Sequence, residues 1–265
     1  MGTKIKSFII SLIISLILLW SVTWGREVFD KIWISFGLFV ITYSGVYWVL
    51  NFEVPLISFF VCLMPPAFFV FSYSLLFQLY SETWPVLRTS GYVVLPLLAF
   101  LGILYVYLVT VNVINTWVYK KVPLINVAKT FFLLLSAISF YCAILASLKM
   151  HNIPFSIGVI LFNGAFVVLS NLWASEFSWK NIIIFSSIIT ILILAFFGIL
   201  FIWPIPIEVF SFALTVIVFL NTSILLHIKS QTLDILTWIE HILLIVICIW
   251  LLLGSARWGI GGKLW

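Results

Sequence analysis

Three ionisable side chains, Lys129, Glu240 and His241, fall inside long apolar runs, clear of the polar interruptions that separate those runs. In hydrocarbon such a group is costly to hold, so each is a functional candidate whose partner has to be found. Lys129 and Glu240 carry opposite charge and lie about five residues past the starts of their runs, ~7 to 8 Å below the same membrane face at ~1.5 Å per helical residue. That matched depth predicts an ion pair able to act in coupling. The plain alternative is that each side chain snorkels separately to the headgroups. His227 and Asp234 gather near His241 across the turn Lys229-Ser230-Gln231-Thr232. Two histidines and a carboxylate are the side chains of a metal site or of an acid-base centre at the membrane rim, with Glu240 beside them. Their spacing matches no metal motif, and a hydrogen-bonded interfacial histidine is the simpler expectation. Neither a metal nor another cofactor is expected.

Pro65 and Pro66 fall near the middle of the third apolar run. Each removes a backbone hydrogen bond and crowds the preceding turn. This predicts either an opened helix whose freed carbonyls line a ligand or ion site, or a kink satisfied by neighbouring helices. Asn112-x-x-Asn115, then Lys120-Lys121 and Lys129, form a basic knot. Clustered juxtamembrane lysines are each worth about 1 kcal/mol at an anionic surface, so Lys120, Lys121 and Lys129 predict contact with anionic lipid headgroups, with Asn112 and Asn115 beside them. Asn126, Asn163, Asn171 and Asn221 complete the polar set, and Asn163 and Asn171, eight residues apart, share a helical face. Interhelical hydrogen bonding is the default for such residues; a polar lining for a small solute is the sharper alternative. The chain holds no G-x-S-x-G, H-E-x-x-H or P-loop. Gly259-Ile260-Gly261-Gly262-Lys263 is followed by no helical run, which argues against a phosphate cradle.

The elements that position these residues follow from composition. The 265 residues are 65% hydrophobic and 8% charged, with a mean hydropathy of +1.31, against roughly 25% charged in a soluble domain. So little polar surface makes the bilayer the solvent. Runs of about 20 apolar residues, enough to cross a ~30 Å hydrocarbon core, predict spans near 5–24, 32–50, 55–80, 90–118, 124–148, 153–173, 181–203, 206–228 and 235–254. Backbone groups in hydrocarbon need internal partners, and the runs lack the period-two alternation of a barrel. The expected fold is therefore an all-α polytopic bundle of about nine spans with short loops, one transmembrane domain across 1–265. Trp20, Trp24, Trp33, Trp48, Trp84, Trp117, Trp173, Trp179, Trp203 and Trp238 flank the connections, where amphipathic indoles belong; Trp250 alone falls well inside a span.

The net charge of +5 comes from basic residues scattered at run ends, with no dense basic face for nucleic acid. Cys62, Cys142 and Cys248 sit singly in apolar runs and read as small hydrophobes. Lys4 and Lys6 precede an apolar core, but Ile13 to Trp24 offers no small-residue cleavage site, so an uncleaved first helix is expected. The lysine pairs 4/6 and 120/121 favour an N-terminus inside and a C-terminus outside. Lys6-Ser7-Phe8 and Lys129-Thr130-Phe131 open similar runs four spans apart, a match too short to establish a duplication.

The run Gly102-Ile103-Leu104-Tyr105-Val106-Tyr107-Leu108, continuing into Asn112-Val113-Ile114-Asn115-Thr116 and then Val122-Pro123-Leu124-Ile125-Asn126-Val127-Ala128-Lys129, resembles a family of uncharacterised multi-pass membrane proteins from uncultivated, small-genome bacteria. That family shows a G-x-Y, N-[IV]-[FI]-N, I-P-L-L-R-A-A pattern here; where it carries Arg before and after the proline, this chain has Lys120-Lys121 and Asn126. The resemblance spans about 30 residues and implies a bacterial inner-membrane location.

Three functional classes remain: a non-enzymatic component that handles lipid or a small solute or scaffolds membrane partners, a secondary transporter built on Pro65-Pro66 and Lys129/Glu240, and a rim enzyme using His227, His241 and Glu240. All require a bilayer. Withdrawing detergent from the purified protein is expected to collapse the monodisperse peak in size-exclusion chromatography; a folded monomer in plain buffer would contradict this.

Overall fold

The computed structural model describes residues 2–24, 28–50, 56–83, 94–120, 125–231 and 234–256, with side chains at all of these except 22–24, 28–29, 56–62, 81–83, 94, 117–120 and 125–126. The described residues form nine α-helices and no strand: α1 Thr3–Trp24, α2 Val28–Val49, α3 Leu56–Thr83, α4 Val94–Lys120, α5 Ile125–Lys149, α6 Ile153–Ala174, α7 Trp179–Ile202, α8 Ile207–Ser230 and α9 Ile235–Ser255. Each is long and apolar enough to cross a membrane. Their ends fall within four residues of the spans expected from hydropathy, the largest shifts being the starts of α2 at Val28 and of α4 at Val94. In α4, Pro96 stands in the first turn, where its missing N–H breaks no helical bond.

Three connections turn on a single left-handed residue: His151 (φ 53°) after α5, Glu176 (φ 59°) after α6 and Gln231 (φ 55°) after α8. The Gln231 N–H closes on the His227 and Ile228 carbonyls, satisfying groups that a helix end otherwise leaves open. Asn152 caps α6 by accepting from the Phe155 N–H at 3.1 Å. Connections this short make consecutive helices antiparallel neighbours, so the starts of α1, α3, α5, α7 and α9 share one face of the bundle, here the near face.

The helices pack as two quartets plus one. In α1–α4 and again in α5–α8, consecutive helices touch and the first meets the fourth, while α9 packs on α8. Helix α5 joins the quartets, touching α3 and α4 on one side and α6 and α8 on the other. Two buried apolar clusters follow this division: one runs from Ile10 through Phe69, Phe100 and Tyr107 to Phe132, the other from Phe140 through Ile193 and Phe210 to Leu252.

Because lipid is as apolar as a leucine side chain, helices associate in it through close packing and hydrogen bonds, at small residues. The α5–α6 seam has this composition. Ser136, Ser139, Ala143 and Ser147 face Ser156, Asn163, Gly164 and Asn171, all of them buried. The seam is pinned at both ends: Asn171 Nδ2 donates to Ser136 Oγ at 2.8 Å and Ser156 Oγ donates to the Ser147 carbonyl at 2.8 Å. At its centre a Cβ on Gly164 would stand 2.7 Å from Ile193 Cδ1 and 3.1 Å from the Phe140 ring.

Helix α3 is continuous through Pro65 and Pro66, whose missing N–H groups leave carbonyls one turn back without their usual helical donors. Both prolines are buried.

A Gly164→Leu variant is expected to lose about 1 to 3 kcal/mol by overpacking, seen as a lower thermal unfolding midpoint in detergent. Gly158→Leu, where a Cβ meets nothing within 4 Å, should leave the midpoint near that of the wild type.

Candidate functional site

The ionisable residues singled out in the sequence gather at the near face. Lys129 sits one turn into α5, two turns before Ser136 and on the same stripe, so it is directed toward the C-terminal end of α6. The charges acting on it are Glu176 and Lys229, supplied by the turn after α6 and the last turn of α8. Lys229 Nζ donates to the Ser175 carbonyl at 2.6 Å and lies 4.5 Å above the Phe177 ring. It thereby covers the open carbonyl end of α6, where a cation is favourable. The charge of Glu176 thus acts on two lysines from different helices.

The sequence pairs Lys129 with Glu240 by depth. Glu240 is exposed on α9, and α9 packs on α8; a carboxylate whose charge acts on Lys129 is Glu176.

His227 and His241 do meet, ring edge to ring face, with centroids 6.0 Å apart. His241 is buried, its Nδ1 lies 2.6 Å from the Thr237 carbonyl and its Nε2 3.1 Å from Ser223 Oγ. A carbonyl only accepts, so Nδ1 carries the proton and Nε2 accepts from the serine in the neutral ring. Both nitrogens being engaged, the ring is the hydrogen-bonded kind of histidine and ties α9 to α8. Among the described residues no three His, Cys, Asp or Glu side chains stand close enough together to hold a metal ion. Asp234 caps α9: its Oδ1 accepts from the Thr237 N–H at 2.8 Å and from the Thr237 hydroxyl at 2.6 Å.

In the basic knot, Asn112 Nδ2 reaches Thr3 Oγ1 at 3.5 Å, placing the end of α4 beside the start of α1, and Asn115 is buried. Lys121 lies outside the described residues, as does the side chain of Lys120. Lys6 joins this face, with its Nζ 3.2 Å from the Trp48 carbonyl and 5.0 Å from the indole.

A second polar cluster, unanticipated in the sequence, occupies the opposite face. Lys149 lies 3.6 Å from Glu208 and 3.9 Å above the Tyr80 ring, and the Tyr80 hydroxyl donates to Glu208 at 3.4 Å. It links α3, α5 and α8. An exposed pair of this kind is worth about 0 to 1 kcal/mol. Lys149 ends the fifth apolar run and Glu208 opens the eighth, so alternation of the spans places both at one face, the signal that could have paired them.

Fold and site define a class: a multi-pass helical membrane protein with polar contacts at both rims. Comparison with protein-family models, curated proteins and solved structures returned no match.

The two Thr237 bonds hold the Asp234 carboxyl below its ordinary value of 3.8. Its folded pKa being the lower, Asp234 stabilises the α9 start above pH ~4 and that contribution fades as pH falls through the folded value. The midpoint gap between wild type and Asp234→Ala should therefore narrow when thermal unfolding is followed from pH 6 down to pH 3.

Proposed function

We propose that this protein is a non-enzymatic component of a bacterial cytoplasmic membrane that engages anionic lipid at its near face, which the lysine distribution makes the cytoplasmic one. The observation that supports this reading is that Lys129 of α5 and Lys229 of α8 come to the same rim, where the charge of Glu176 acts on both. The described residues of that face agree: Lys4, Lys6, Lys120, Lys129, Lys180 and Lys229 stand against Glu176, Asp234 and Glu240. Phosphate headgroups meet such a rim with about 1 kcal/mol per lysine. Their acyl chains would lie along helices whose outer sides are already apolar, such as α7 with Ile183, Ile191 and Ile199 exposed.

The transporter and enzyme readings stand second to it, because α3 is continuous at Pro65-Pro66 and both ring nitrogens of His241 are engaged.

Native mass spectrometry tests the lipid reading. Wild-type protein extracted with mixed lipid should retain phosphatidylglycerol over phosphatidylcholine. That preference should fall several-fold in Lys129→Ala/Lys229→Ala and in Lys120→Ala/Lys121→Ala/Lys129→Ala. Equal retention of both lipids by all three proteins would overturn it.

A further inference from the structure

Deep in the bundle, far from either rim, three helices each bury a polar side chain that makes no hydrogen bond. Asn163 of α6 is 0% exposed, and neither its Nδ2 nor its Oδ1 has a partner; the same holds for the hydroxyls of Ser72 in α3 and Ser139 in α5. Helices α3, α5 and α6 all pack against one another.

The three side chains share a level. The Ser136–Asn171 and Ser147–Ser156 bonds and the approach of Gly164 to Phe140 set the register of α5 against α6, which puts Ser139 beside Asn163. Phe68 packs on Phe162 and Phe166 at 5.4 and 6.1 Å, setting α3 against α6, and Ser72 lies one turn from Phe68. They also share a direction. At ~100° per residue, Asn163 falls between the side of α6 that meets α3 (Phe162, Phe166) and the side that meets α5 (Ser156, Asn171). Ser72 falls between Phe68, which faces α6, and Phe69, which faces Phe100 and Tyr107 of α4, so it looks toward α5. Ser139 lies beside Phe132, which faces Tyr107, on the side of α5 turned to the first quartet. All three point into the junction of α3, α5 and α6.

An amide with both ends unpaired in hydrocarbon is penalised heavily, and a leucine would fill the same space without that penalty. We infer that Ser72, Ser139 and Asn163 form a mid-membrane binding site for a small neutral molecule that both donates and accepts hydrogen bonds, with the dimensions of water or ammonia. The chemistry selects this class. The carboxamide offers donors and an acceptor, and the hydroxyls offer both. No Asp, Glu, Lys, Arg or His occurs in 63–80, 130–148 or 153–174 to neutralise an ion. Ser72, Ser139 and Asn163 are almost wholly buried, which limits any ligand to a few heavy atoms. This site is independent of the lipid-binding rim.

Solid-state NMR on protein carrying 15N-labelled asparagine, phenylalanine and valine in liposomes tests it, with the Asn163 side-chain signal assigned by its loss in Asn163→Leu. Polarisation from water protons should reach Asn163 Nδ2 several-fold faster than the amides of Phe140 and Val167, and the Ser72→Ala/Ser139→Ala variant should slow it. Repeating the measurement in ammonia buffer at pH 9 separates the two ligands: an unchanged rate assigns the site to water, and a rate reduced by exchange assigns it to ammonia. A second readout needs no assignment. With the site filled, Asn163→Leu should not raise the thermal midpoint. Transfer to Asn163 as slow as to its apolar neighbours, together with a higher midpoint for Asn163→Leu, would overturn the inference.

Discussion

Hydrocarbon offers no hydrogen-bonding partner, so every polar group in these helices must find one within the protein, and most of the local structure answers to that constraint. Serines and threonines meet it without leaving their own helix. Ser7, Ser11 and Ser15 donate in succession to carbonyls one turn back along α1, as do Thr42, Thr110, Thr190, Ser211, Thr215 and Thr222 in other helices. A hydroxyl spent this way is inert, and a chain rich in serine can still pack as an apolar bundle. Larger groups such as Gln78, Asn171 and His241 reach across and join helices to one another, Asn171 and His241 while also bonding to the carbonyl one turn back. Asn163, like Ser72 and Ser139, does neither.

The same constraint explains why α5 is the hub. Helices in lipid gain little from burying apolar surface and much from approaching closely, so the helix with small residues on its packing face collects neighbours. Ser136, Ser139, Ala143 and Ser147 let α6 approach, while Phe132 and Leu135 extend into the first quartet's core. Lys129 continues the α6-facing stripe to the near face, and this continuity brings it to Glu176. Helix α9 is the opposite case: its buried residues are confined to Thr237, His241, Cys248 and Leu252, and a hydrogen-bonded histidine holds it to α8. The contact pattern of α1–α4 recurs in α5–α8, with Lys6-Ser7-Phe8 and Lys129-Thr130-Phe131 near the start of each set, although composition alone gave that short match no weight.

How far the site could be read in advance differed from residue to residue. The gathering of His227, Asp234 and His241 at one rim followed from their positions at a helix end, and the convergence of lysines at the near face followed from alternation of the spans. Glu176 was not singled out, because it lies in a turn and its role depends on where α5 and α8 bring their lysines. Ser72 and Ser139 carried no signal at all among so many serines. Asn163 stood in the polar set, yet nothing in the chain distinguished it from Asn171, which finds Ser136.

Hydropathy along the chain determined the all-helical architecture, the number of described spans and the depth of each polar residue, because depth in a bilayer is a coordinate that runs along the sequence. The tertiary structure alone decided which residues meet. These helices are apolar on nearly every side, so no stripe marks how each is turned about its own axis or which neighbour it faces. That rotation brings Lys129 under the charge of Glu176 and turns three unremarkable polar side chains toward one junction.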